Sequence, residues 1–180
     1  MNDTITGESS MREVLQVFPG AQRALFRKYH IGGCSSCGFG PEETLAGVCE
    51  RNGDLPVDEV IEKIQQSHEE DARILLEPTD LAKRLAKGED IRLVDIRSRE
   101  EFEAVHIDGS VLLTQPLMQE ILGSWDNDQR FVMIDHQGQK GLDAAAYYLG
   151  HGMPNVHALR GGIDAWSLEV DSSIRRYTLS

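Results

Sequence analysis

This 180-residue chain carries 30 acidic and 18 basic residues, and its net charge of −12 speaks against a nucleic-acid or anionic-membrane partner. No apolar run approaches the length of a membrane span, the acidic stretch 1–8 does not read as a signal peptide, and three cysteines are too few for a disulfide scaffold. A cytoplasmic protein is expected, with no membrane attachment. In chain order, residues 1–10 read as a flexible leader. Val14, Leu15, Val17 and Phe18 predict a first helix that Pro19-Gly20 ends, and Ala21, Ala24, Leu25 and Phe26 a second that closes near Tyr29. The glycine-rich loop 31–40 follows. Pro41 is expected in the first turn of a third helix with Leu45, Val48 and Cys49 on one face; Asp54 is expected to cap a fourth bearing Val57, Val60, Ile61 and Ile64. The four helices make an all-α domain over 11–66. The polar residues 67–73 read as a linker, with continuation of the fourth helix left open.

Beyond 73 the pattern changes to strands alternating with helices. Strands are expected at 74–76, 92–96, 111–113, 131–134 and 156–159. Helices are expected at 80–86 after a Thr79 cap, after a Ser98 cap, and at 117–122, 141–149 and 163–168. Residues 171–180 are left as a tail. The alternation predicts an α/β domain over 74–170, with a mostly parallel five-stranded sheet covered by helices on both faces. Ligands of such sheets lie beyond the carboxyl ends of the strands. That is where Asp135, His136, Gln137, Gly138, Gln139, Lys140 and Gly141 fall, between an apolar strand and an alanine-rich helix. A loop of this kind aims backbone N–H groups into one concavity that favours an anion.

Four motifs, in order, resemble a rhodanese domain, the fold of thiosulfate sulfurtransferases. They are Asp95-Ile96-Arg97 with Glu101-Phe102, His106-Ile107-Asp108-Gly109-Ser110, the segment 131–149, and Leu159-Arg160-Gly161-Gly162 with Trp166. The resemblance implies that the loop begins with a cysteine whose thiolate attacks a sulfane sulfur and carries it as a persulfide. Aligning Gly138 with the loop glycine places Asp135 at the cysteine, His136 and Lys140 at two arginines, and Gly141 at a serine. A carboxylate cannot form a persulfide, so no ordinary sulfurtransferase turnover is expected from this loop. Asp135 is expected to accept backbone hydrogen bonds that lower its pKa, with His136 an ordinary exposed histidine. Asp95 is expected to pair with Arg97, and His106 to be a core histidine.

The remaining chemistry lies in Cys34-Ser35-Ser36-Cys37. With the helix before it and Glu43-Thr44-Leu45 after it, this pair resembles a small helical domain of unassigned function found with hybrid-cluster (iron–sulfur–oxo) proteins. Two thiols at this spacing suit a disulfide, persulfide handling, or half of a tetrahedral zinc or iron–sulfur site with His30 as a third ligand. Cys49, on an apolar helix face, reads as a core residue. The expected function is a catalytically silent rhodanese-like module joined to a thiol-bearing helical module, binding a protein partner in sulfur, redox or iron–sulfur metabolism. Two alternatives stay open: an enzyme using Cys34 and Cys37, and a metal-binding regulatory homodimer.

Overall fold

A computed structural model describes residues 5–32 and 38–178, which divide into two compact units, Met1–Ala72 and Arg73–Ser180. The first unit contains α1 (Met11–Val17), α2 (Ala21–Tyr29), α3 (Leu45–Arg51) and most of α4 (Val57–Ile74). Met11, Val14, Leu25, Leu45, Val48 and Ile64 form its core, with Cys49 buried among them as expected. Ser10 and Glu13 close a reciprocal capping box on α1.

Three boundaries differ from the sequence expectation. The third helix starts at Leu45 rather than Pro41, because the Thr44 hydroxyl accepts the Gly47 amide at 3.1 Å and caps it there. Asp54 takes a left-handed conformation, φ +52°, at the exit from α3, so it caps nothing; the Pro56 carbonyl receives the first α4 amide, from Val60. Residues 67–73 are helical throughout, as the last turns of α4.

The second unit is α/β. Five strands, β1 (Leu75–Leu76), β2 (Ile91–Asp95), β3 (Ser110–Leu112), β4 (Arg130–Ile134) and β5 (Val156–Leu159), pair parallel in the order β1-β5-β4-β2-β3. The helices are α5 (Pro78–Ala86), α6 (Arg99–Ala104), α7 (Gln115–Gly123), α8 (Gln139–Gly150) and α9 (Gly162–Glu169). Thr79 lies inside α5, whose N-cap is Glu77; Pro78 is suited to the first turn. Ser98 caps α6 as expected, in a second capping box with Glu101.

Strand alternation separates two cores. Phe131 and Met133 of β4 join Ile121 of α7 and Ala145 and Tyr148 of α8 on one face. Val132 and Ile134 join Leu81 of α5 and Ile163 and Trp166 of α9 on the other. A sheet buried on both faces needs the continuous apolar strands seen here, and leaves the strand ends as the place for polar chemistry. Among the described residues no helix is long and apolar enough to cross a membrane.

Candidate functional site

β4 stops at Ile134, and the loop that follows turns back beneath the N-terminus of α8. Asp135 is its pivot. Its buried carboxylate accepts the Gly138 amide at 2.7 Å through Oδ1 and the Lys140 amide at 3.0 Å through Oδ2. Gly138 allows this turn: its φ is +95°, and a Cβ there would lie 2.6 Å from the Gly161 nitrogen. The start of α9 grips the loop backbone from the other side. The Ile163 amide donates to the Asp135 carbonyl at 2.9 Å, and the Asp164 amide to the His136 carbonyl at 3.1 Å.

Burial pushes the Asp135 carboxyl above the usual carboxylate range, and the amides of Gly138, Gly141 and Lys140 pull it back only in part. This corrects the expectation of a lowered pKa. Hydrogen-bond donors are legible in a glycine-bearing loop; the desolvation that outweighs them depends on what packs over the carboxylate.

Gly141 provides the space for the carboxylate. A Cβ at this position would lie 3.0 Å from Asp135 Oδ1 and 3.3 Å from the Met133 carbonyl oxygen. Helix propensity favours Gly141→Ala by about 1 kcal/mol, while crowding a carboxylate pinned by two amides opposes it. The two effects predict non-additivity. Gly141→Ala will be destabilising in the native chain but neutral or stabilising beside Asp135→Ala, with a coupling of about 1 kcal/mol in a urea-denaturation double-mutant cycle. Additive effects would show that Gly141 plays no part in holding Asp135.

His136 is not an ordinary exposed histidine. It is half-buried, stacked on the Tyr177 ring at 4.4 Å between centroids, and its Nε2 donates to the Tyr177 carbonyl at 2.9 Å. The Tyr177 hydroxyl accepts from Arg97 Nη1 at 2.9 Å and donates to Glu101 Oε1 at 2.6 Å. Burial and the bond to Glu101 push the phenol up to about 12, which keeps its proton available for that donation. Burial opposes ionisation of Glu101, but bonds from Tyr177 and Ser98 prevail and hold it below the usual range. Residues 171–178 are therefore a docked segment rather than a loose tail. Ile174 is buried, its carbonyl accepts the Ser167 hydroxyl at 2.6 Å, and Arg176 forms a two-pronged pair with Asp164 at 2.6 and 2.9 Å. No sequence signal marks Tyr177, which lies 80 positions from Arg97.

Asp95 and Arg97 pair as expected, at the carboxyl end of β2. Arg97 Nη2 meets Asp95 Oδ2 at 2.6 Å, Nε meets Oδ1 at 2.9 Å, and Nη2 also donates to the Val105 carbonyl at 2.8 Å. His106 is not a core residue. It is exposed and stacked on Phe102 at 4.3 Å, one helical turn away, with Nδ1 2.8 Å from the Phe102 carbonyl.

Of the remaining loop residues, Gln137, Gln139 and Lys140 are exposed, and Gly138 and Gly141 are buried. Cys34 and Cys37 lie outside the described residues. His30 is an exposed, left-handed cap on α2, φ +59°, edge-on to Phe26. Among the described residues no group of three or more His, Cys, Asp or Glu side chains is placed to hold a metal ion.

The family model for the rhodanese-like domain matches residues 77–169. Thiosulfate sulfurtransferase GlpE of Shewanella oneidensis is 30% identical over 82 residues, covering 46% of this chain and 81% of that protein. GlpE of Pseudomonas syringae pv. syringae is 34% identical over 74 residues, covering 41% of this chain and 70% of its own length. Among solved structures, the human single-domain sulfurtransferase TSTD1 has a TM-score of 0.48 at 22% identity, covering 53% of this chain and 96% of that one.

Proposed function

The chain belongs to the rhodanese-like domain family, and from that premise we propose that its loop is a binding element that does not itself transfer sulfur. One observation carries this reading: the Asp135 carboxylate takes up the Gly138 and Lys140 amides that a sulfur nucleophile and its anionic substrate would need. A thiolate carries one charged atom and leaves the rest of the concavity to substrate. A carboxylate brings two oxygens, each of which already holds a loop amide. Sulfur transfer from thiosulfate to such a loop requires a nucleophile that displaces sulfite and keeps the sulfane sulfur; a carboxylate offers no sulfur to hold it. The module would then serve sulfur, redox or iron–sulfur metabolism as a docking or relay component, with thiol chemistry assigned to Cys34 and Cys37 of the helical unit.

The test is thiosulfate:cyanide turnover by the purified full-length chain under anaerobic conditions, with bound iron and zinc measured in parallel. The native chain is expected to give no thiocyanate above the buffer rate. Asp135→Cys, made in a Cys34→Ser, Cys37→Ser background, is expected to take up one sulfur atom from thiosulfate, seen as a mass increase of about 32 Da that cyanide removes. Native turnover that survives Cys34→Ser and Cys37→Ser but is lost in Asp135→Ala would overturn the reading. Turnover or stoichiometric metal lost in Cys34→Ser would move the chemistry to the helical unit.

A further inference from the structure

We propose that residues 174–177 form a strap that shuts the His136 side of the loop, and that displacing this strap is how the loop opens to a protein partner. The proposal rests on the reading of the loop as a binding element. Four elements of the unit converge on these few residues. The loop contributes His136, the end of β2 Arg97, α6 Glu101 and α9 Asp164. All four lie around the mouth at the carboxyl ends of the strands, while the strap itself lies beyond residue 169, where the family match ends. The loop side chains left in solvent, Gln137, Gln139 and Lys140, leave one open side; the His136–Tyr177 stack closes another.

The attachments have the character of a releasable contact. Ile174 is the apolar anchor, Tyr177 packs at the edge of the same core and stacks on His136, and the remaining hold on the outer half of the strap is polar. The Arg176–Asp164 pair reaches solvent, and Tyr177 is only half-buried. Such bonds exchange for bonds to water at small net cost, unlike an apolar plug. What the strap presents also defines what can replace it: a cation for Asp164, a phenol that bridges Arg97 and Glu101, and a backbone carbonyl for His136. The partner class is therefore an extended segment carrying a basic residue followed by tyrosine, the chemistry of Arg176-Tyr177 itself.

Accessibility of the loop tests the strap without relying on activity. In the full-length Asp135→Cys chain lacking Cys34 and Cys37 (Cys34→Ser, Cys37→Ser), the rate of alkylation of the introduced thiol by iodoacetamide is followed by peptide mass spectrometry. Adding Arg176→Ala and Tyr177→Ala is expected to raise that rate about tenfold, with Tyr177→Phe, which keeps the stack, intermediate. Hydrogen exchange of the paired β4 and β5 amides serves as the unfolding control for this unit and is expected not to change. An unchanged rate at position 135, or equal acceleration of exchange across β4 and β5, would overturn the proposal. In chains that keep Asp135, faster hydrogen exchange at the Gly138 and Lys140 amides on strap mutation supports the strap independently, and unchanged exchange refutes it. Turnover that survives Cys34→Ser and Cys37→Ser but is lost in Asp135→Ala would sink the binding reading while leaving these rates to decide the strap alone, so the two ideas fail separately.

Discussion

Arg97→Met will destabilise the rhodanese-like unit by about 3–5 kcal/mol, a large part of the 5–15 kcal/mol that holds a typical domain folded. The variant keeps the apolar stem and removes the guanidinium, leaving the fully buried Asp95 with the residue 97 amide, 3.0 Å away, as its remaining partner at that position. Burial opposes the charge on Arg97, but its hydrogen bonds to Asp95 and Tyr177 prevail and raise its pKa, so the guanidinium stays charged. Adding Asp95→Leu will recover most of the loss, because an apolar pair of similar volume leaves no charge to desolvate. A cost under 1 kcal/mol for Arg97→Met, or a double variant less stable than the single one, would contradict this account.

Gly162→Ala will cost a comparable roughly 3–5 kcal/mol, and for a different reason. Gly162 has φ +61°, and a Cβ there would lie 2.4 Å from the Asp135 carbonyl oxygen and 2.6 Å from the His136 carbonyl carbon and oxygen. The obstacle is backbone, so no side chain can swing aside. Left-handed strain contributes about 1 kcal/mol, overpacking roughly 1–3, and loosening the Ile163 and Asp164 amide bonds to the loop about 1 in all. Gly109 is the comparator, with φ +79° and nothing within 4 Å of its virtual Cβ. Gly109→Ala should pay the strain alone, about 1 kcal/mol. Equal denaturation midpoints for the two variants would mean that α9 does not clamp the loop.

The fold was largely legible because it rests on local rules. The apolar run 156–159 becomes β5 with those bounds, Ser98 caps α6 three residues before Glu101, and alternating strands and helices imply the parallel sheet. Asp95 and Arg97 could be paired on paper because they sit two residues apart at a strand end. Expectations failed where a local signal met a competing partner. Pro41 would have suited a helix start, but Thr44 supplied the cap that Leu45 needed. Asp54 would have capped α4, but the exit from α3 demanded a left-handed residue there.

By itself, the amino-acid sequence determined the order of elements, the apolar residues of both sheet faces, and the presence of a carboxylate at the head of a glycine-bearing loop. Those depend on periodicity and on neighbours a few residues apart. The tertiary structure alone decided that burial outweighs the loop amides and raises the Asp135 pKa, that Gly141 makes room for its oxygens, and that His136 and Arg97 share Tyr177. Desolvation and long-range pairing depend on which distant segment arrives at a strand end, and nothing within a few residues of Asp135 specifies that Tyr177 will.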